Sequence, residues 1–266
     1  MPFRTFKTGL RLGRHNLALS LFSSVIAGGK LPTAAPACDW LSPVKVPWGM
    51  LGNDRNGDCV FAAILHVIMA MAAATGRQVP AFTAADAIAL YHVVVPSFDP
   101  NAPLDAKGDN PTDQGSDFDT AGDYWQRVGI GGTKIISRVR VNPGNLNLIK
   151  LAIDWLGPVL VGLALPDNAE DQFGKRWEMV PGKPPNPDNG HEIMVGGYDG
   201  DEFEAVSWGA VQPLTADWLL QCSAPSLGGD WQAVVTDQWI RANQLSPSEL
   251  HLETIQRDAG LLLTAM

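Results

Sequence analysis

The 266-residue chain has few cysteines, few basic residues and no long apolar run. Three cysteines are too few for a disulfide scaffold or a four-cysteine metal site, which favours a reducing compartment. Lys and Arg number 19 against 28 Asp and Glu, so the chain lacks the clustered positive charge that nucleic acid requires. No stretch approaches the ~20 apolar residues that span a bilayer. We therefore expect no nucleic-acid partner, no membrane span, and a cytoplasmic or virion-associated protein rather than a secreted one.

The composition is typical of a folded domain with extensions at both ends. Hydrophobic residues make up 45% of the chain, enough for a large core, and nine Trp suggest a surface or core rich in flat rings. We expect an extended N-terminal arm over 1–45, one domain over 46–240, and a helical tail over 241–266 that opens with a capping box. The start of the arm, basic and then moderately apolar, is also compatible with a secretory signal.

The central domain is predicted to place its helices first and its strands later. Cap and stop signals predict helices over 59–75, 83–93, 116–128 and 145–156. Apolar and β-branched runs predict strands over 159–165, 191–198, 202–208 and 231–236. This order predicts an α+β fold in which a helical half packs against an antiparallel sheet.

The most informative segment is GNDRNGDC at 52–59, a polar, Gly-rich turn that delivers Cys59 to the start of a buried helix. Unpaired N–H groups and the helix dipole at such an end favour an anion, so a thiol there should lose its proton more easily. This is what nucleophilic catalysis requires. Asp58 opposes the effect by its like charge. The alternative is that Cys59 is a small core residue, as free Cys commonly is.

A second feature is His191, which opens the predicted strand HEIMVGGYD after a loop rich in Pro, Gly and Asn. A His at the mouth of a strand is expected at a surface rather than in the core. It is then a candidate general base for a thiol.

These segments together resemble the papain-like cysteine peptidase superfamily, and specifically a diverged branch found in bacteria and phages. The resemblance covers about two thirds of the chain, over 48–236. GHEIMVGGYD at 190–199 and SWG at 207–209 are similar to the family's His strand and Ser-Trp-Gly strand. The separation of Cys59 from His191 agrees with the roughly 130–150 residues typical of papain-like enzymes. The resemblance implies a papain-like α+β fold with an active-site cleft between its halves.

The resemblance also implies a role for each matching residue. Cys59 would be the nucleophile, and His191 would take its proton and return it to the leaving group. The oxyanion would be held by the Cys59 backbone N–H and by the amide of Asn53, which stands where the family usually has Gln. Asn56 is a nearby alternative. No cofactor and no metal is implied, and the substrate would be a peptide or protein.

The chain departs from the family at the residue that orients the His. The family has Asn just before Ser-Trp-Gly, and Val206 stands there, whose side chain cannot hydrogen-bond to an imidazole. In the serine triad, spoiling the orienting residue costs ~10⁴ in turnover. Another group therefore orients His191, or a bare dyad operates slowly, or catalysis is lost. Trp208 is still expected to shield the pair from water.

Seven Asp residues crowd the segment 99–123. Calcium binding is one interpretation, because this ion takes several oxygen ligands, but the spacing fits no EF-hand loop. A solvated acidic loop beside the cleft is the simpler interpretation. Such a loop would favour basic groups in a substrate.

The leading hypothesis is a papain-like thiol hydrolase that acts on peptide or amide bonds. The alternative is a catalytically weak or inactive copy of the fold that serves as a binding or structural module, for example in a phage particle. In that case the arm over 1–45 would lie along a neighbouring subunit as an assembly contact. A third possibility is an acyl-transferring relative such as a transglutaminase, which uses the same Cys–His chemistry.

Overall fold

The computed structural model describes residues 6–11 and 33–239. The predicted tail over 241–266 and the apolar part of the arm that resembles a signal lie outside the described residues. The helices are α1 (Cys59–Ala74), α2 (Ala84–Val94), α3 (Phe118–Arg127), α4 (Leu146–Leu156) and α5 (Ala216–Cys222). The strands are β1 (Ala37–Asp39), β2 (Ile135–Arg140), β3 (Val159–Pro166), β4 (Pro185–Asp199), β5 (Glu202–Ser207), β6 (Ala210–Thr215) and β7 (Asp230–Thr236).

The seven strands form one antiparallel sheet in the order β2-β7-β3-β4-β5-β6, and β1 pairs with the far end of β4. Strand β4 is central, because β3 pairs with one of its edges and β5 with the other. The register places Leu163 opposite His191 and Val206 opposite Met194. The last residues of β5 therefore lie beside the part of β4 that carries His191.

Helix α1 forms the core of the helical half. Its sequence CVFAAILHVIMAMAAA is apolar almost all round, and its first fourteen residues are buried. A helix without a polar face belongs inside a protein, and α1 packs against β3, β4 and β5. The Asp58 side chain does not cap its N-terminus, which leaves the first N–H groups for other partners. In the ranges 6–11 and 33–239, no helix is both long and apolar enough to cross a membrane.

The predicted α+β class is confirmed. The four predicted helices correspond to α1–α4, each shifted by two residues or fewer. Strand β4 differs most, since it begins at Pro185 rather than at His191. The prediction that His191 opens a strand at the surface is therefore wrong: His191 lies inside β4 and is 1% exposed. The Pro- and Asn-rich segment before it pairs with β3, with a register shift, instead of forming a loop.

Candidate active site

The predicted site residues line one small cavity between α1 and the sheet. Cys59 is the first residue of α1, His191 lies on β4, and Asn53 lies in the loop before α1. All three line this cavity of about 10 Å³, which is room for about one water molecule. Each is at most 2% exposed. Cys59 and His191, 132 positions apart in the sequence, thus border the same small cavity.

The His191 imidazole is held at one of its two ring nitrogens. Its Nε2 lies 3.0 Å from the Ser207 hydroxyl oxygen, whereas its Nδ1 has no hydrogen-bond partner in the described part of the chain. Val206, which stands at the family's Asn position, also lines the cavity but offers no polar group. Sequence reasoning missed Ser207 as the His191 partner. The signal was available, because Ser207 is the first residue of the Ser-Trp-Gly segment.

Trp208 covers the imidazole from one side. The centroids of the Trp208 and His191 rings are 4.9 Å apart, which agrees with the predicted shielding. Trp208 also contacts the rings of Phe6, Phe173 and Trp177. Its φ of 46° is left-handed, a conformation that costs a non-glycine residue roughly 1–2 kcal/mol. The turn between β5 and β6 therefore places Ser207 and Trp208 around His191 at some cost in backbone strain.

The Cys59 thiol and the His191 imidazole are both neutral in this conformation. Burial, with smaller contributions from the charges of Glu192 and Asp58, raises the pKa of Cys59 to about 12. The backbone N–H groups of Glu192 and Gly9 lower it by a smaller amount. Burial lowers the pKa of His191 to about 3. The expectation of a more acidic thiol is therefore wrong for this conformation, because desolvation outweighs the helix N-terminus.

The Asn53 amide is held within its own loop. Its Nδ2 donates to the Asn56 carbonyl at 3.1 Å. The main-chain carbonyl of Asn53 accepts the Lys7 N–H at 3.0 Å. Burial and the neighbouring Asp113 raise the pKa of Asp58 well above its ordinary value, and the Asn53 amide opposes them. The Asn56 carbonyl thus orients the Asn53 amide within the loop before α1.

Residues 6–11 of the arm run through the cleft between α1 and β4. The Ser116 N–H donates to the Gly9 carbonyl at 2.7 Å, and the Leu10 N–H donates to the Gly190 carbonyl at 3.0 Å. Leu10 and Ser116 also form an isolated parallel bridge. Because these bonds use main-chain atoms alone, any extended peptide is able to make them.

Side chains fix the arm at one end of the cleft. The Phe6 ring stacks on Trp208 with centroids 4.5 Å apart and an interplanar angle of 14°. The Lys7 ammonium pairs with Asp109, a residue of the acidic loop over 99–123. The predicted affinity of this loop for basic groups agrees with that ion pair.

Gly9 lies in very close contact with the backbone on both sides of the cleft. A Cβ on Gly9 would stand 2.0 Å from the Gly57 oxygen, and a Cβ on Gly115 would stand 1.8 Å from the Gly9 oxygen. Real Cβ atoms essentially never approach other atoms so closely. The arm therefore fits beside Cys59 because three glycines meet there.

The acidic loop over 99–123 is organised by its own hydrogen bonds. The Asp113 carboxylate accepts the Gly57 N–H at 2.7 Å and the Tyr91 hydroxyl at 2.9 Å. The Asp105 carboxylate accepts the N–H groups of Lys107 and Asp109, and the Asn110 amide donates to the Asp99 carbonyl. Among the described residues, no group of three or more His, Cys, Asp or Glu is arranged to hold a metal ion.

Comparisons with known proteins show similarity in structure but not in sequence. No protein-family model matches the chain, and no curated protein matches it. Xylellain, a cysteine protease from Xylella fastidiosa, is similar in structure with a TM-score of 0.60 and 11% identity, over 87% of this chain and 96% of that one.

Two further solved structures are similar over most of the chain. Digestive procathepsin L 3 of Tenebrio molitor larval midgut has a TM-score of 0.57 at 14% identity, over 87% of this chain and 76% of that one. The ragweed pollen cysteine protease Amb a 11, in its proform, has a TM-score of 0.51 at 16% identity, over 81% and 70%. The chain therefore has the fold of the papain-like cysteine proteases.

Proposed function

We propose that the chain is a thiol hydrolase of peptide or amide bonds, with Cys59 as nucleophile and His191 as general base. One observation carries the proposal: a thiol at the start of a buried helix and an imidazole with an unpaired Nδ1 border the same cavity. The papain-like fold supports hydrolase chemistry at the level of the superfamily. A diverged bacterial or phage origin belongs to the same proposal.

The proposed reaction has two steps. In the first, the Cys59 sulfur attacks the substrate carbonyl as its proton passes to His191, and His191 then protonates the leaving amine. This step leaves an acyl group on sulfur as a thioester. In the second, a water molecule gives a proton to His191 and attacks the thioester, and the proton returns to the thiol as the acid is released.

We propose that Ser207 positions the imidazole in place of the usual Asn. When the His191 proton is on Nε2, that nitrogen donates to the Ser207 oxygen 3.0 Å away. The Nδ1 lone pair is then free to accept the thiol proton. A hydroxyl both accepts and donates, so Ser207 also accepts from the imidazolium that forms during the reaction. Ser207 is thus a positioning residue, which acts through His191.

The proposed oxyanion donors are the Cys59 backbone N–H and the Asn53 amide. As the first residue of α1, Cys59 has an N–H without a partner inside the helix. Asn53 lines the same cavity, and one of its two N–H donors is bonded to the Asn56 carbonyl. Hydrogen-bond donors fixed where negative charge develops usually supply a large part of such catalysis.

The described conformation is a closed one, and we propose that hydrolysis requires the arm to leave the cleft. The Gly9 amide lies at the thiol, in the space that a substrate peptide unit would need. Departure of residues 6–11 would expose Cys59 to water. Exposure removes much of the desolvation that now raises its pKa to about 12.

A non-catalytic binding or structural module, such as a phage particle component, is the alternative. The filled cleft and the high thiol pKa favour it. In that reading the arm over 1–45 is an assembly contact between subunits, and removing it would change the mass of the particle measured by light scattering. Hydrolysis that depends on Cys59 would reject this alternative.

The experiment is cleavage of a mixed peptide library, read by mass spectrometry. It compares the wild type, Gly9→Ala, Cys59→Ala in both backgrounds, and Cys222→Ser. Cys222 is a matched control, because it is a buried free cysteine on α5, away from the cavity. We expect the Gly9→Ala chain and the Gly9→Ala/Cys222→Ser chain to cleave peptides. We expect no cleavage by any chain that carries Cys59→Ala. Equal cleavage with and without Cys59 would refute the proposal.

A further inference from the structure

His66 lines the same cavity as Cys59 and His191 but has no part in the reaction proposed above. It lies on α1, about two turns after Cys59, and is 2% exposed. A buried imidazole N–H needs a hydrogen-bond partner inside the protein. The His66 Nε2 lies 3.2 Å from the Trp48 carbonyl oxygen and 3.1 Å from the Gly49 carbonyl oxygen. Because both oxygens are acceptors, Nε2 carries the proton and donates to the two carbonyls together.

These two carbonyls belong to the loop over 48–53, which ends at the proposed oxyanion donor Asn53. The loop turns sharply, since three of its residues have a positive φ, among them Leu51 at 55°. A left-handed conformation strains Leu51, and strained backbone persists only where its surroundings hold it. The Asn53 N–H donates to the Met50 carbonyl at 3.2 Å. The place of Asn53 therefore depends on the conformation of this loop.

Two donors outside the segment 48–58 bond to the main chain of the loop in the described part of the chain. One is the His66 Nε2, and the other is the Lys7 N–H, which donates to the Asn53 carbonyl at 3.0 Å. Lys7 belongs to the arm, which in the proposed reaction leaves the cleft before a substrate enters. The His66 donor remains after this departure. It holds the loop from α1, a helix whose first fourteen residues are buried.

The peptide unit after Gly49 also contacts the other side of the site. A Cβ on Gly209 would stand 2.8 Å from the Gly49 carbonyl carbon and 2.8 Å from the Met50 nitrogen, so the two main chains touch. Gly209 ends the Ser-Trp-Gly segment, whose first two residues contact His191. His66 thus supports a peptide unit that packs against this segment.

We propose that His66 is a positioning residue, which holds the loop over 48–53 so that the Asn53 amide stays where the substrate oxyanion forms. His66 touches no substrate and acts through Asn53. The inference rests on the proposed hydrolase function, because the oxyanion forms only in that reaction. Oxyanion donors are effective when their positions are fixed in advance, and a misplacement of about 1 Å costs up to about 10²-fold in rate. A histidine that served only the core would affect stability alone.

The test is a double-mutant cycle between His66 and Asn53 in the Gly9→Ala chain, the proposed open form. His66→Met removes the donor and keeps a long, adaptable side chain. We expect it to lower kcat at least about tenfold with little change in KM. Asn53→Ala should lower kcat by about 10²- to 10³-fold, as loss of an oxyanion donor does. His66→Met added to Asn53→Ala should cost less than about twofold more, because the amide that His66 positions is gone.

Two further variants separate positioning from stability. His66→Gln places an amide N–H near the position of the imidazole Nε2, so it should restore most of kcat. Ser223→Ala is the matched control, because the buried Ser223 hydroxyl donates to the Leu219 carbonyl at 2.7 Å and does not line the cavity. We expect this control to unfold at a lower urea concentration and to keep its kcat.

Three results would overturn the inference. The first is a loss of kcat from His66→Met that is the same factor with and without Asn53→Ala, since His66 would then not act through Asn53. The second is an unchanged kcat in His66→Met, and the third is a loss that His66→Gln does not restore. If His66→Met does not fold, His66→Asn replaces it in the cycle, because its shorter amide ends before the Nε2 position.

Hydrogen exchange tests the support of the loop without turnover. In the Gly9→Ala chain, the Asn53 N–H should exchange at least about tenfold faster with His66→Met than with His66→Gln, because the loop opens locally. Faster exchange in a chain that cleaves no peptide would retain the support of the loop and reject the hydrolase. Cleavage with unchanged exchange would retain the hydrolase and overturn the role of His66.

Discussion

One methyl group on Gly9 should open the cleft. In Gly9→Ala the new Cβ would stand 2.0 Å from the Gly57 oxygen and 2.3 Å from its carbonyl carbon. Both atoms belong to the backbone of the loop that leads into α1, so neither moves aside as a flexible side chain would. The arm must therefore leave its position beside Cys59.

The size of the effect follows from the thiol pKa. Burial raises it from the ordinary 9.0 to about 12, which makes the thiolate roughly 10³-fold rarer at pH 8. A thiolate of higher pKa is more nucleophilic, with a Brønsted slope of about 0.5. This greater reactivity offsets about half of the 10³-fold loss of thiolate on a logarithmic scale. If departure of the arm restores the ordinary pKa, alkylation of Cys59 should accelerate by at least about 30-fold. Steric access to the sulfur adds to this factor.

The assay is site-resolved alkylation of Cys59 by iodoacetamide at pH 8. Gly144→Ala is the matched control, since Gly144 also lacks a left-handed φ and its Cβ would meet only a side-chain oxygen, at 3.2 Å. We expect the control to react at the wild-type rate. Gly9→Ala that reacts no faster than the wild type, while both remain folded by circular dichroism, would refute the account of Cys59 protection.

Two further predictions concern the histidines. In a cleavage-competent background, Ser207→Ala should lower kcat by about 10- to 100-fold with little change in KM, because the imidazolium loses a hydrogen bond; Ser207→Thr should restore it, and an unchanged kcat would contradict the positioning role. Burial lowers the pKa of His66 from 6.5 to about 4. Neutral His66 therefore does not destabilise the fold above pH 6.5, and the free energy of unfolding falls by at most roughly 3 kcal/mol as the pH drops from 6.5 to 4. Urea titrations at pH 7 and pH 4 should show that His66→Gln lacks this loss, and an equal loss in both chains would contradict it.

Local signals predicted the elements that carry the site. The apolar run after a Gly-rich turn predicted α1 with Cys59 at its start, because local residues determine where a helix begins and ends. Strand β6 escaped prediction because Pro213 interrupts it, and a Pro is tolerated in an edge strand such as this one. Strand β2 carries two Arg that read as surface residues, but Arg138 is buried against Asp123 and Asp119.

Long-range contacts account for what sequence reasoning missed. Ser207 lies beside His191 because β5 pairs with β4. No local sequence pattern predicts which strands pair with each other. The main-chain bond from the Leu10 N–H to the Gly190 carbonyl joins residues 180 positions apart. The high thiol pKa has the same origin, since its largest cause is the burial of Cys59 in the folded chain.

The segment that fills the cleft is tethered to the domain it fills, since residue 11 and residue 33 belong to one polypeptide. A tethered ligand acts at an effective concentration that is of order millimolar for short links. Dilution of the protein therefore leaves the cleft closed, and a free peptide with equal contacts must exceed that concentration to enter. One backbone cut between residues 11 and 33 would turn this unimolecular equilibrium into a bimolecular one, and dilution alone would then release the arm.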